Sequence, residues 1–167
     1  MGINKPRIIT DNDSTASFSC GVASLDVWLR QQALRSNARG TAKTYVVTDS
    51  QTEEVVGYYA IAMGSVSRSS AFSSLKRNSP DPIPMVVLAR SAVDARYQGQ
   101  GVAIGLLKDC MLRSVAAMEV VGGAGILVHA VDDQARNFYT KFGFRESPID
   151  RLVLMIRSCD LVASLKK

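Results

Sequence analysis

Cysteine, histidine and tryptophan are all scarce in this chain of 167 residues, which holds three, one and one of them. Cys20, Cys110 and Cys159 lie far apart and are odd in number. That excludes a disulfide framework and offers no zinc-ligand spacing, so no metal is expected. Free, mostly packed thiols in a reducing cytoplasm are the expectation. The lone histidine, His129, stands in the apolar stretch "ILVHAV", where it reads as a hydrogen-bonded strand residue and only weakly as a base. Long apolar runs are missing too, so no membrane span is expected. The start, "MGINKPRIITDND", lacks the apolar core of a signal peptide. Its Met-Gly opening suggests myristoylation, but Lys5 and Pro6 do not suit that motif. Repeats and low-complexity segments are absent, and the one proline-rich loop, "SPDPIP", is too short to link domains. Residues 1–167 are therefore expected to form a single domain.

What is present is an ordinary globular composition, with 47% hydrophobic and 21% charged residues. A formal net charge of +5 favours phosphate-rich partners, either coenzymes or nucleic acid, without choosing between them. After a short strand near Arg7 to Thr10, "CGVASLDVWLRQQALRSNARG" reads as one helix. Leu25, Trp28, Leu29 and Ala33 fall at helical spacing, and Asn37 and Gly40 are stop signals. "TAKTYVVTD" and "VVGYYAIAMGSVS", joined by polar "SQTEE", read as an antiparallel hairpin. "SSAFSSLKRN" reads as a short helix, and "MVVLARSAV" as a buried strand. Ala103, Leu106, Leu107, Cys110, Met111 and Met118 form the core stripe of a later helix. A strand "ILVHAV" follows. Next comes a helix capped by Asp132 and stopped by Gly143, then a strand "LVLMIRS" and a tail "DLVASLKK". This order implies an α/β or α+β sheet with some parallel pairing through crossover helices. Trp28 reads as core.

Two motifs carry chemistry. In "ARYQGQGVAIGLL", Gly99 and Gly101 stand between a buried strand and an apolar helix. Glycines let the backbone turn tightly, and a helix start presents unpaired N–H groups and partial positive charge, the ingredients of a pyrophosphate site. Neither familiar phosphate motif fits. Val102 follows Gly101 where a Walker A loop needs lysine, and Gly105 has the wrong spacing for a dinucleotide fingerprint. The pattern alone leaves open a ligand loop or a plain strand-to-helix turn. The second motif, "DDQARNFYTKFGF", carries Asn137 and Tyr139 on a helix. A tyrosine phenol, with an ordinary pKa of about 10, stays protonated at neutral pH and can give its proton to a leaving thiolate. Taken alone, Phe138, Tyr139 and Phe142 also suit a packed aromatic core.

Together these segments resemble the GNAT superfamily of N-acetyltransferases. Arg96, Gly99 and Gly101 match its coenzyme motif, Gln/Arg-x-x-Gly-x-Gly/Ala, in the required place after a strand. "LDVWLRQQA", "GYYAIAMGSV", "PDPIPMVVLARSAVD" and "ARNFYTKFGF" resemble the toxin subgroup found in bacterial type II toxin–antitoxin pairs. The resemblance implies a central mixed, mostly antiparallel sheet flanked by helices, with a splayed strand pair at the acetyl-CoA site. It implies coenzyme contacts at Ala92 and Val93, and pyrophosphate contacts along Gln98, Gly99, Gln100, Gly101, Val102 and Ala103. It further implies a pantetheine contact at Asn137 and a general acid at Tyr139. Ala103 stands where many relatives carry a third glycine. The implied reaction is acetylation of the α-amino group of aminoacyl-tRNA, which stalls translation. The implied partners are a ribbon-helix-helix antitoxin and a second copy of the chain.

The acceptor chemistry is consistent with that. An α-amino group has a pKa of about 7.7–8.0, against about 10.4 for lysine, so a neutral amine is available without a strong side-chain base. Arg35, Arg39 and Lys43, with Arg68, Lys76 and Arg77, are candidate RNA contacts, though each alone reads as a solvated charge. Arg90, inside an apolar strand, must face a cleft or a partner. A GNAT enzyme acting on a small amine or a protein N-terminus is the rival reading. A non-catalytic nucleic-acid-binding module is another, but it leaves the glycine motif unexplained.

Overall fold

In chain order, the computed structural model, which describes residues 2–165, begins with β1 (Arg7–Ile8), α1 (Ala23–Gln31), α2 (Ala33–Arg39), β2 (Lys43–Thr48) and β3 (Val55–Val66). A 3-10 turn (Arg68–Ser70), α3 (Ser73–Lys76), β4 (Ile83–Val93), a second 3-10 turn (Ala95–Tyr97) and α4 (Val102–Val121) follow. Then come β5 (Gly125–His129), α5 (Asp133–Lys141), β6 (Arg145–Glu146), β7 (Val153–Arg157) and α6 (Ser158–Leu165). The strands form one seven-stranded sheet in the order β1-β2-β3-β4-β5-β7-β6. The β1–β2, β2–β3, β5–β7 and β6–β7 ladders are antiparallel, and β4–β5 is parallel. This is the mixed, mostly antiparallel sheet expected, and α4 supplies the crossover that a parallel pair needs. The parallel ladder joins only Val86–Leu88 to Ile126–Val128.

The chain divides into two compact units, Met1–Ala62 with Ala89–Cys110, and Met63–Leu88 with Met111–Lys167. In the first, Leu25, Trp28 and Leu29 turn one face of α1 onto a core of Ile9, Phe18, Val46, Val55, Tyr58 and Ala92. The expected single helix is two, parted at Gln32, whose φ is stretched to −117° (ψ −27°) between α1 and α2. Gly40 ends α2 in the left-handed conformation (φ 76°). In the hairpin, Tyr45 lies opposite Tyr59, and their rings stack at 5.2 Å. Gly57 gives the first turns of α4 their seat. A Cβ there would stand 2.9 Å from Val47 and 3.2 Å from Val102 and Leu106.

The second unit closes over Val66, Phe72, Leu75, Ile83, Met85, Leu127 and Met155. β4 starts inside the stretch expected to be loop. Ile83 is fully buried, and Pro84, which has no N–H to give, accepts a bond from the Ala124 N–H (2.8 Å). Asp132 caps α5 as expected, its carboxylate accepting the Ala135 N–H at 2.8 Å. Gly143 follows that helix with φ 95°, and the Phe144 N–H returns to the Tyr139 carbonyl. The expected tail is largely α6, anchored by fully buried Leu161 and opened by an Arg157–Asp160 ion pair. Lys166 and Lys167 lie outside the described residues. Cys110 is buried and Cys20 half-buried, but Cys159 is exposed rather than packed.

Candidate active site

The glycine loop is built from Asp94 outward. This carboxylate is 1% exposed, at the point where β4 ends. One of its oxygens accepts the Arg96 N–H (2.9 Å) and Nε (3.0 Å), and the other accepts the Ser19 N–H (3.2 Å) and Arg96 Nη2 (3.2 Å). Burial alone would push the Asp94 carboxyl up. The bonds from the Arg96 guanidinium, the two N–H groups and the Arg96 charge together hold it below the usual carboxylate range. The Ala95 N–H bonds the Ser19 carbonyl, and the Gln98 amide donates to the carbonyls of Cys20 (3.0 Å) and Val93 (2.9 Å). Tyr97 donates its hydroxyl to Asp49 (2.7 Å). The side chains of Arg96, Tyr97 and Gln98 are thus spent on holding the loop, and its main chain is left to face a ligand.

Gly99 (φ 79°) and Gly101 (φ 83°) both adopt left-handed conformations that side chains rarely accept. Open space surrounds the position of a Cβ at each, so the requirement is conformational and not one of room. The 20-residue helix α4 starts at the next residue, and its first intrahelical bond runs from the Gly105 N–H to the Gly101 carbonyl. A helix start leaves its leading amides without intrahelical acceptors and with partial positive charge. Those amides belong to Val102, Ala103 and Ile104. Ala92 and Val93 have buried side chains, so only their main chain can meet a ligand. An anionic linker such as pyrophosphate fits this set: main-chain donors, a helix start, and no carboxylate presented by the loop itself. Asp94 escaped the sequence reading. Its signal was a lone acid directly after an apolar strand and two residues before the motif arginine.

In the other unit, α5 carries Asn137 and Tyr139. Asn137 is exposed and accepts from Arg136 (2.9 Å), which also pairs with Glu146. Tyr139 is 9% exposed, ringed by Phe138 and Phe144, each 5.4 Å away, and Phe138 in turn touches Phe142. The packing expected of this cluster is present, and it fixes the ring of the tyrosine.

Of the basic candidates, Arg35 and Arg39 are exposed on α2, and exposed Lys43 at the start of β2 donates to the Asn37 carbonyl (3.2 Å). Lys76 is half-buried and Arg77 exposed at the end of α3. Arg68 is spent inside the fold, donating to the carbonyls of Lys76 and Ser79. Arg90 is half-buried with its guanidinium 4.5 Å from the centre of the Trp28 ring. His129 is exposed at the end of β5. Among the described residues, no group of three or more His, Cys, Asp or Glu could hold a metal ion, and no helix is long and apolar enough to cross a membrane.

Known proteins resemble the chain in sequence and in fold. The chain is 44% identical over 155 residues to a tRNA-acetylating toxin of Mycobacterium tuberculosis (strain ATCC 25618 / H37Rv), spanning 93% of this chain and 92% of that protein. The structure of AtaT complexed with acetyl-methionyl-tRNAfMet superposes with a TM-score of 0.88 at 26% identity, covering 97% of this chain and 98% of that one. The structure of AtaTR bound with AcCoA gives 0.78 at 26% identity, covering 96% of each chain. Residues 40–146 match the acetyltransferase (GNAT) domain, a span that holds the Asp94-anchored loop, the start of α4 and the tyrosine of α5. The chain belongs to the GNAT acetyltransferase family.

Proposed function

We propose that this protein is an acetyl-CoA-dependent N-acetyltransferase that acetylates the α-amino group of aminoacyl-tRNA and thereby blocks translation. The observation that carries the reading is the 44% identity to a tRNA-acetylating toxin across 93% of the chain. In this reading residues 1–167 act as a single acetyltransferase domain in the cytoplasm, where charged tRNA is found. The main chain from Gln98 to Ala103, with Ala92, Val93 and Asn137, binds the coenzyme, and Arg96 holds the loop in shape. Acetyl-CoA, when bound, supplies the acetyl thioester. The Tyr139 hydroxyl holds the proton that the departing sulfur requires. The attacking amine needs no strong base, since an α-amino group is already partly neutral near pH 7–8. This chemistry uses no metal. Arg35, Arg39, Lys43, Lys76, Arg77 and Arg90 bind tRNA phosphates. The enzyme acts as a homodimer and is neutralised by an antitoxin of the ribbon-helix-helix type, in keeping with the toxin likeness.

The test is expression in a host cell beside a Gly101→Asp variant. The wild type is expected to arrest growth, and the variant, with a carboxylate where the pyrophosphate must lie, is expected to be harmless. Healthy growth with abundant folded wild-type protein contradicts the toxin reading and leaves a small amine or a protein N-terminus as the acceptor.

A further inference from the structure

Arg90 and Trp28 form a unit that the coenzyme chemistry does not use. The Arg90 guanidinium stands 4.5 Å from the centroid of the Trp28 ring, and that ring stacks on Tyr58 (centroids 5.9 Å apart, planes 12° apart). Tyr58 is fully buried, donates its hydroxyl to the Leu25 carbonyl (2.8 Å) and meets the Phe18 ring edge-on. The stack therefore rests on the core of the first unit. No carboxylate among the described residues pairs with Arg90. By contrast, Arg7 is paired with Asp13, and Arg96 with Asp94. The helices α1 and α2 add Arg30, Arg35 and Arg39 to this unit. Their one carboxylate, Asp26, is 7% exposed and accepts the Cys20 N–H. A half-buried cation with an aromatic partner and no counter-ion suits an anionic ligand, and the planar guanidinium favours phosphate.

We propose that Trp28 is a positioning residue for the acceptor RNA: it holds the Arg90 guanidinium so that this group binds a phosphate of the tRNA. The proposal rests on the aminoacyl-tRNA reading for the identity of the acceptor. It adds the aromatic platform that supports the guanidinium. Free arginine side chains sample many rotamers, and stacking removes most of that freedom before the phosphate arrives.

Trp28 is the chain's only tryptophan, so its fluorescence reports on this stack alone. Uncharged total tRNA titrated into the wild-type protein at low salt is expected to change the Trp28 emission, and Arg90→Ala is expected to abolish that change. In acetyl transfer to charged tRNA, Trp28→Leu and Arg90→Ala are expected to raise KM for the RNA about fivefold to tenfold, with kcat and the KM for acetyl-CoA unmoved. Trp28→Phe, which keeps an aromatic face and fills the core, is expected to recover most of the loss, and it stands in if Trp28→Leu fails to fold. An emission blind to tRNA overturns the proposal. So does a folded Trp28→Leu protein whose KM for the RNA equals that of the wild type, or whose loss lies in kcat and not in KM. A wild type that fails to acetylate charged tRNA sinks the substrate reading instead, and the fluorescence titration still decides whether the stack binds RNA.

Discussion

Tyr139 is packed in an aromatic cluster and is the proposed general acid. Its ring packs against Phe138 and Phe144, which pre-set the side chain. Replacing it with phenylalanine keeps the ring contacts with Phe138 and Phe144 and removes the hydroxyl. Tyr139→Phe is expected to bind acetyl-CoA as the wild type does and to turn over about 100-fold more slowly, the usual contribution of a general acid. Isothermal titration for binding and single-turnover rates for chemistry separate the two effects. Full activity in the variant would remove Tyr139 from the mechanism. Asp94 is the other decisive residue. Asp94→Asn keeps the shape but turns an NH2 toward donors that need an acceptor. It is expected to cost about 1–3 kcal/mol of stability and to raise the Kd for acetyl-CoA, read by chemical denaturation and by titration.

At the scale of the element, the loop from Asp94 to Gly101 behaves as one cross-linked piece, and its pH response follows from the sign of the Asp94 shift. Hydrogen bonds and the Arg96 charge outweigh burial and hold that carboxyl low in the folded state. Its contribution is therefore fully present above the unfolded carboxylate value of about 4, and is lost only as pH falls through the lowered folded value. Coenzyme affinity is expected to carry no step from Asp94 between neutrality and about pH 4, measured by titration across that range. A loss centred on pH 5–6 would point to a different controlling group.

Legibility also divides by element. Long periodic segments were readable: the hairpin, α4 with its stripe of Leu106, Leu107, Cys110 and Met111, and α5 with its Asp132 cap. The break at Gln32 was hidden, because the apolar period continues through it from Leu29 to Ala33. β6 is only two residues long, too short for any period, and α6 has the composition of a tail until Leu161 finds a core. The start of β4 was masked by its prolines, whose usual meaning is overridden by the burial of Ile83. In the candidate site, the glycines were legible because left-handed backbone demands them. Asp94 was not, since a single buried acid leaves no pattern along the chain.

At the scale of the whole molecule, a net charge of +5 and the arginines of α1, α2 and β4, which form no ion pair among the described residues, set the expected behaviour toward RNA. Acetyl transfer to charged tRNA is expected to weaken steeply as salt rises, with a log–log slope of about −0.7 to −0.9 for each phosphate contacted. A flat response would indicate a small-molecule acceptor. The atom that receives the acetyl group distinguishes a tRNA-acetylating enzyme from one that acts on a small amine. Incubation with labelled acetyl-CoA and total charged tRNA, followed by nuclease digestion and mass analysis, reads that atom directly. The expected product is an N-acetyl-aminoacyl adenosine that is lost in Tyr139→Phe. Label found only on free amines or protein N-termini, with none on aminoacyl adenosine, would contradict it.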